Sequence, residues 1–282
     1  MQWSESGLTD AQVAFVRRVL PAASVVSDDS WGLLDTRVFH VRSGNREYTV
    51  KACGPQNTHF ARELAAHQEW TGALVRRGDT SRMVAADVDA RVLVLDRIPG
   101  HLALTTPDET SADLHRQAGT VLRRLHDQTA RIDEYFLAAE QAKVLAALDT
   151  PHRIAPDSAA RARSLLQTFT PGPVTVVPTH GDWHPRNWIV HDGRLHAIDF
   201  GRFAFRPPAF DLTRLAVLHW QSDPSLEQAF FAGYGDDPRE PDTWRWLQLR
   251  EAVGTAVWAF AVDDETFEAQ GLRMVRDALA AF

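Results

Sequence analysis

Residues 180–201 constrain the chain most. They read His180-Gly181-Asp182-Trp183-His184-Pro185-Arg186-Asn187 and, after a short interval, Ile198-Asp199-Phe200-Gly201. Gly181 and Pro185 deny this stretch a regular helix. Residues 174–177 before it read as a strand. Residues 189–191 and 195–198 flank Asp192-Gly193, a strong hairpin signal. An irregular loop is therefore held between strands, with an aspartate five positions before an asparagine. A second aspartate stands at the end of the hairpin. The fold must bring these side chains together inside a region that otherwise reads as helix.

The rest of the chain divides into a strand-rich and a helix-rich part. Thr9 caps a helix over 10–20, with Val13, Val16, Val19 and Leu20 at helical spacing. Strands over 36–42 and 47–53 meet at Gly44-Asn45 and place Lys51 near the far end of a hairpin. A long helix follows over 58–77 and stops at Gly78. A second hairpin, 82–88 and 91–95, ends at Pro99-Gly100. Beyond it come helices over 111–126, 133–148 and 157–168, a break at Pro171-Gly172-Pro173, and helices over 209–220, 224–233, 241–261 and 264–281. Strands followed by helices, without βαβ alternation, predict an α+β fold in two lobes. The boundary falls after residue 97, giving a nucleotide-binding lobe over 1–97 and a catalytic, acceptor-binding lobe over 98–282.

The residue types around 180–201 suit phosphoryl transfer. Mg²⁺ takes oxygen ligands and leaves room for phosphates and water, so Asn187 and Asp199 are the metal-ligand candidates. Asp182 is then left to accept a hydrogen bond from an attacking hydroxyl. Lys51, in Tyr-Thr-Val-Lys, is a point charge suited to nucleotide phosphates. Only Lys51 and Lys143 are lysine among 30 basic residues, so its choice over arginine is informative. Glu63, twelve residues later on the long helix, can pair with Lys51. After the apolar run 92–95, Asp96 and Ile98 are placed to offer backbone groups to a nucleobase. The plainer alternatives are turn hydrogen bonding for Asp182, Asn187 and Asp199, a solvent-facing Lys51 and a surface Glu63.

This ordered set, from Lys51 and Glu63 through Leu125-His126, H-G-D-x-H-P-x-N and I-D-F-G to Asp211-Leu212, resembles the aminoglycoside phosphotransferase and choline kinase group. That group belongs to the protein-kinase-like fold, and H-G-D in place of H-R-D marks the small-molecule branch. The resemblance implies a small antiparallel-sheet N-lobe with one long helix and a larger, mainly helical C-lobe. It implies ATP and Mg²⁺ as cofactors, with GTP left open. Asp182 would be the catalytic aspartate, Asn187 and Asp199 the metal ligands, and Lys51 the contact to the α- and β-phosphates. Asp211 would brace the catalytic loop. The chain departs from the nucleotide-binding pattern at 28–35, which has one glycine and no G-x-G-x-x-G. Ser30 and Gly32 are the candidates for the phosphate turn, beside the bulky Trp31 and carboxylates that would repel ATP.

Charge and composition bound the acceptor and the setting. The formal net charge is −7, so a nucleic-acid partner is not expected. No apolar run approaches the ~18 residues of a membrane span. The polar, then amphipathic, N-terminal stretch lacks the pattern of a signal peptide, and Cys53 is the single cysteine, which together predict a cytoplasmic protein. Residues 206–282 hold seven arginines, no lysine and thirteen carboxylates. Asp263, Asp264 and Glu268, at the start of the last helix, are substrate candidates for amino groups, or else complement the helix dipole. The expected acceptor is a small cationic molecule with a hydroxyl, such as an amino sugar. A choline-like amino alcohol, a sugar metabolite kinase activity or a non-catalytic nucleotide-binding module are the alternatives. A monomer or homodimer is expected. His180 and His184 lack a third ligand for zinc and read as hydrogen-bonding residues. The tryptophans of the second lobe read first as core and second as faces for a cation.

Overall fold

A computed structural model describes residues 3, 6–31 and 35–282. Gly32, one of the two candidates in the phosphate turn, lies outside the described residues. Two units divide the chain. The first gathers Met1–Leu125, His180–Ala204 and Gln228–Tyr234, and the second gathers His126–Thr179, Phe205–Glu227 and Gly235–Phe282.

The first unit begins with helix Asp10–Val19. Thr9 accepts from the Gln12 amide, and the Gln12 side chain accepts from the Thr9 amide at 3.0 Å, a reciprocal cap that satisfies two backbone donors. The Gln12 amide nitrogen also donates to the Cys53 and Ala90 carbonyls, pinning the helix to the sheet. That sheet has five antiparallel strands, β1 (Ser24–Asp28), β2 (Thr36–Ser43), β3 (Arg46–Cys53), β4 (Met83–Asp87) and β5 (Val92–Asp96), in the order β1-β2-β3-β5-β4.

Alternation along these strands sets the two faces. Phe39, Val41, Tyr48, Val50, Ala52, Val92 and Val94 form one buried cluster with Phe15, Val16 and Leu20 of the first helix. Cys53 and Leu93 point the other way and pack with Phe60 and Leu64. Each fully buried apolar side chain of this size contributes about 1.5–3 kcal/mol. Lys51 is two residues from Cys53 and pairs in register with Val38 and Leu93. It therefore stands on the face that carries Phe60 and Leu64.

The expected long helix runs from 60 to 77 in three pieces, Phe60–Ala65, a π-helical turn Ala66–Trp70 and Gly72–Arg77. The Thr71 amide bonds back five residues to the Ala66 carbonyl at 2.9 Å, which widens the turn. Asn57 starts the helix, its side-chain oxygen accepting from the His59 and Phe60 amides.

The first unit also holds helix Ala112–His126 and a three-stranded sheet built from the hairpin Trp188–His191 and Arg194–Ala197 with the short strand His101–Leu102. Asp192 and Gly193 at its turn both have positive φ, 49° and 71°, as a two-residue hairpin of this twist requires. Residues 228–234 join this unit through glycine-mediated backbone approach. A Cβ on Gly119 would fall 2.1 Å from the Phe230 carbonyl oxygen, and one on Gly233 would fall 1.9 Å from the Arg116 carbonyl oxygen.

The second unit is helical around one core. Helices Phe136–Ala147, Pro156–Thr168, Pro241–Ala261 and Glu265–Ala280 bury Leu166, Trp246, Leu249, Val253, Ala256 and Val275. Short strands Arg131–Asp133 and Val174–Thr179 pair antiparallel beside it. The helix expected over 133–148 starts instead at Phe136, after the strand Arg131–Asp133, which is too short to show alternation. No helix among the described residues is long and apolar enough to cross a membrane.

The two kinds of helical glycine lead to opposite expectations. Gly119→Ala and Gly233→Ala force backbone apart and should lower stability by about 1–3 kcal/mol each. Gly254, in helix Pro241–Ala261, has nothing within 4 Å of an added Cβ, so Gly254→Ala should raise stability by about 0.5–1 kcal/mol. Denaturant midpoints of the three variants check both signs.

Candidate active site

Strand β3 and helix Phe60–Ala65 bring Lys51 and Glu63 together. Phe60, Glu63 and Leu64 share the helix face turned to the sheet, one turn apart. The Lys51 ammonium donates to Glu63 Oε1 at 2.6 Å and to Asp199 Oδ1 at 3.1 Å. Burial works against the charge on Lys51, but Asp199 and Glu63 overcome it and hold the ammonium above the ordinary lysine range. Burial lifts the Glu63 carboxyl above the usual carboxylate range, against the pull of Lys51. Desolvation acts to raise the Asp199 carboxyl as well, and there Lys51 prevails and leaves it below that range. The cation is thus fixed between two anions from distant parts of the chain.

Asp199 has φ of 64°, in the left-handed region. A non-glycine residue there stores strain of about 1–3 kcal/mol unless its surroundings hold it. Phe200 supplies that hold. It is fully buried, with its ring 5.6 Å from the His67 ring and 4.8 Å from the His180 ring. Burial and the nearby Lys51 push His67 down to about 3, so it packs as a neutral ring.

The loop before the hairpin is held from inside. His180 Nε2 donates to the Ile198 carbonyl at 2.9 Å, and its Nδ1 accepts from the Asp182 amide at 3.3 Å. One neutral tautomer satisfies both bonds. Gly181 between them has φ of 81° and turns the chain. Trp183 and Trp188, 1% and 0% exposed, anchor both sides of the loop. Core packing thus accounts for these two tryptophans, and hydrogen bonding for His180, as the sequence suggested.

Asp182 and Asn187 form the other half of the site. Asp182 Oδ2 accepts from Arg186 at 3.0 Å and from Asn187 Nδ2 at 3.1 Å, and His184 Nε2 lies 3.4 Å from Oδ1. Asn187 Nδ2 also donates to the Asp182 carbonyl at 2.7 Å. The Asn187 amide nitrogen is therefore committed, and its Oδ1 is the atom left for another partner. At Asp199, Lys51 takes Oδ1 and leaves Oδ2. Among the described residues no group of three or more His, Cys, Asp or Glu is gathered to hold a metal. Two hard oxygen donors without a protein cage fit Mg²⁺, which keeps phosphate and water in its shell.

The nucleotide-turn candidates are placed as follows. Ser30 Oγ accepts from the Val38 amide at 2.9 Å, and the Ser30 amide donates to Asp28. Asp29 pairs with Arg97 at 3.0 Å, so one carboxylate of the turn is neutralised. Trp31 is 51% exposed and carries the Arg186 guanidinium over its ring at 4.3 Å. Asp96 ends β5, with its carboxylate bonded to Arg46 and Arg82 and its amide to the Arg82 carbonyl. Ile98 follows, half-buried.

The remaining candidates lie in the second unit. Asp264 caps helix Glu265–Ala280 by accepting from the Phe267 amide, and Glu268, 4% exposed, pairs with Arg153 at 2.7 Å. Asp263 is exposed, with φ of 57°. Asp211 accepts from His126 Nε2 at 3.1 Å. Arg186, within the loop motif but without a role expected from it, bonds to the Asp182 carboxylate. Its signal was available, since an arginine four residues after Asp182 in a tight turn reaches back to it.

The profile of the phosphotransferase enzyme family matches residues 30–249. No curated protein sequence matches the chain. Solved structures with the same fold include a spectinomycin phosphotransferase, at 12% identity over 98% of this chain and 99% of that one, with a TM-score of 0.63. The choline kinase LicA from Streptococcus pneumoniae is similar at 15% identity, over 97% and 100%, with a TM-score of 0.67. The macrolide 2′-phosphotransferase MphH from Brachybacterium faecium is similar at 19% identity, over 94% and 97%, with a TM-score of 0.62. A strand lysine tied to a helix glutamate, an aspartate–asparagine loop closed by a second aspartate, and a family profile spanning most of the length agree, and the chain belongs to the phosphotransferase enzyme family of small-molecule kinases.

Proposed function

We propose that this protein transfers the γ-phosphoryl group of ATP to a hydroxyl of a small cationic acceptor. The observation that carries the reading is the assembly, within one unit, of the Lys51–Glu63–Asp199 cluster and the Asp182–Asn187 pair. Solved relatives were crystallised with ADP or AMP-PNP, which supports nucleotide binding at the corresponding site.

In this reading Glu63 orients Lys51, and Lys51 neutralises the α- and β-phosphates. Ser30 and Gly32 belong to the phosphate turn, and the backbone at Asp96 and Ile98 meets the base at the end of a lobe spanning 1–97. Asn187 Oδ1 and Asp199 Oδ2 would hold Mg²⁺, which supplies charge neutralisation at the phosphates when bound. Asp182 accepts the hydrogen of the acceptor hydroxyl and aims the oxygen lone pair at the γ-phosphorus. The new O–P bond forms as the β–γ bridging P–O bond breaks, and that electron pair leaves on ADP. The hydroxyl proton passes to Asp182 and then to solvent. The cationic acceptor is supported by the acidic balance of residues 206–282. Of the three acidic candidates there, Asp263 is the one whose carboxylate makes no described bond, so it is the first to replace.

Asp182→Asn should lower acceptor-stimulated, Mg²⁺-dependent ADP release by about 10²–10⁴-fold with ADP affinity kept within about twofold. The assay runs over amino sugars, choline-like amines, neutral sugars and macrolides, with ATP and GTP. Full turnover by Asp182→Asn on any of them overturns the role, and stimulation by neutral acceptors alone overturns the cationic one.

Lys51→Met leaves Glu63 and Asp199 without their shared cation and should destabilise the fold by about 3–5 kcal/mol. A carboxyl raised in the folded state favours folding at low pH, and that contribution disappears as pH rises through its folded value. The deficit of Lys51→Met against wild type should therefore be smallest near pH 5 and grow toward pH 8. Urea unfolding at the two pH values measures it.

A further inference from the structure

The sequence placed a bulky Trp31 where nucleotide turns of this kind carry small residues. The structure shows what stands on it. The Arg186 guanidinium lies over the Trp31 ring at 4.3 Å and donates to Asp182 Oδ2 at 3.0 Å. Arg186 is held from two sides, by a stacking platform on the turn after β1 and by the carboxylate in the loop. Its side chain remains 29% exposed. A guanidinium presents several N–H donors in a planar fork matched to phosphate oxygens, and the described hydrogen bonds of Arg186 use one nitrogen. Its remaining N–H groups make no described hydrogen bond, and the side chain stands against Asp182, the residue that aims the acceptor in the reading above.

We propose that Arg186 reads the γ-phosphoryl group, with Trp31 as the platform that holds its guanidinium in place. This rests on the phosphotransferase reading above and adds the residue that distinguishes a triphosphate from a diphosphate. Asp182 lies in line with the transferring phosphorus in that reading, so a cation bonded to its carboxylate is within reach of the γ-oxygens. As the O–P bond to the acceptor forms and the β–γ bridge breaks, the γ-oxygens keep their negative charge, and the fixed guanidinium faces it without rearrangement. The turn over 28–31 then needs no run of glycine amides. Its serine and first aspartate bond to the turn and to β2 itself, and a tryptophan carries the charge instead. A purely structural Arg186, one that only orients Asp182, would affect turnover without affecting which nucleotide binds.

Nucleotide affinity, measured by calorimetry with Mg²⁺ on the whole chain, separates these roles. The probes are ADP and a non-hydrolysable ATP analogue, and the variants are Arg186→Gln, Arg186→Lys, Trp31→Phe and Trp31→Ala. Arg186→Gln should weaken the triphosphate by about tenfold or more and leave ADP within about twofold. Arg186→Lys should recover part of the loss. Trp31→Ala should weaken the triphosphate by about threefold, and Trp31→Phe, which keeps a smaller aromatic face, should fall between Trp31→Ala and wild type. Should Arg186→Gln fail to fold by circular dichroism, Arg186→Lys and Trp31→Ala carry the same test. Equal weakening of both nucleotides, or of neither, overturns the proposal while leaving the phosphotransferase reading intact. Binding of neither nucleotide by wild type overturns both.

Discussion

Lys51 joins chain segments that are far apart in sequence through a single ammonium. Its partners come from the helix after β3 and from the end of a hairpin almost 150 positions later. A buried cation of this kind is held only while both carboxylates remain, because an unpaired charge in such a place is expensive. The pairing therefore does more than steady one side chain. It requires β3, helix Phe60–Ala65 and the Asp199 turn to take fixed positions relative to each other, and the loop that carries Asp182 is tied to that same turn through the His180–Ile198 bond.

Rigidity around this cluster comes from apolar rings more than from ions. Phe200, Trp183 and Trp188 are buried beside the residues that carry charge. Phe200 keeps Asp199 in a backbone conformation it would not choose alone, and the tryptophans bracket a loop with no regular hydrogen bonding. His180 contributes a neutral bridge between the loop and the hairpin. The charged atoms are thus displayed by a packed hydrophobic base, which keeps them in place before any ligand arrives.

Much of this was legible in the residues. The helix capped by Thr9, the strands around Gly44-Asn45, the Asp192-Gly193 hairpin and helix Pro241–Ala261 follow from local signals that agree with the final packing. The pairing of Lys51 with Glu63 was legible from order and spacing, because strand alternation and helix pitch place both on one face. Other features were not. The π-helical turn at Ala66–Trp70 depends on where Thr71 bonds, which no periodicity records. The second bond of Lys51, to Asp199, is a tertiary fact. The same holds for Trp31 and Arg186, whose contact joins two irregular segments without a pattern in either. Glu268 was singled out by charge alone, and its partner Arg153, from a loop, lay beyond what a helix-start argument can see.

Residues 228–234 pack through Gly119 and Gly233 against helix Ala112–His126, so the unit that holds Lys51, Asp182 and Asp199 is completed by a segment near the end of the chain. A ribosome releases the chain from its N-terminus. The five-stranded sheet can form early, but the helix behind the hairpin must wait, one face uncovered, until residue 234 has emerged. While residues 127–234 are being added, the nascent protein exposes a glycine-notched helical surface that the finished fold covers.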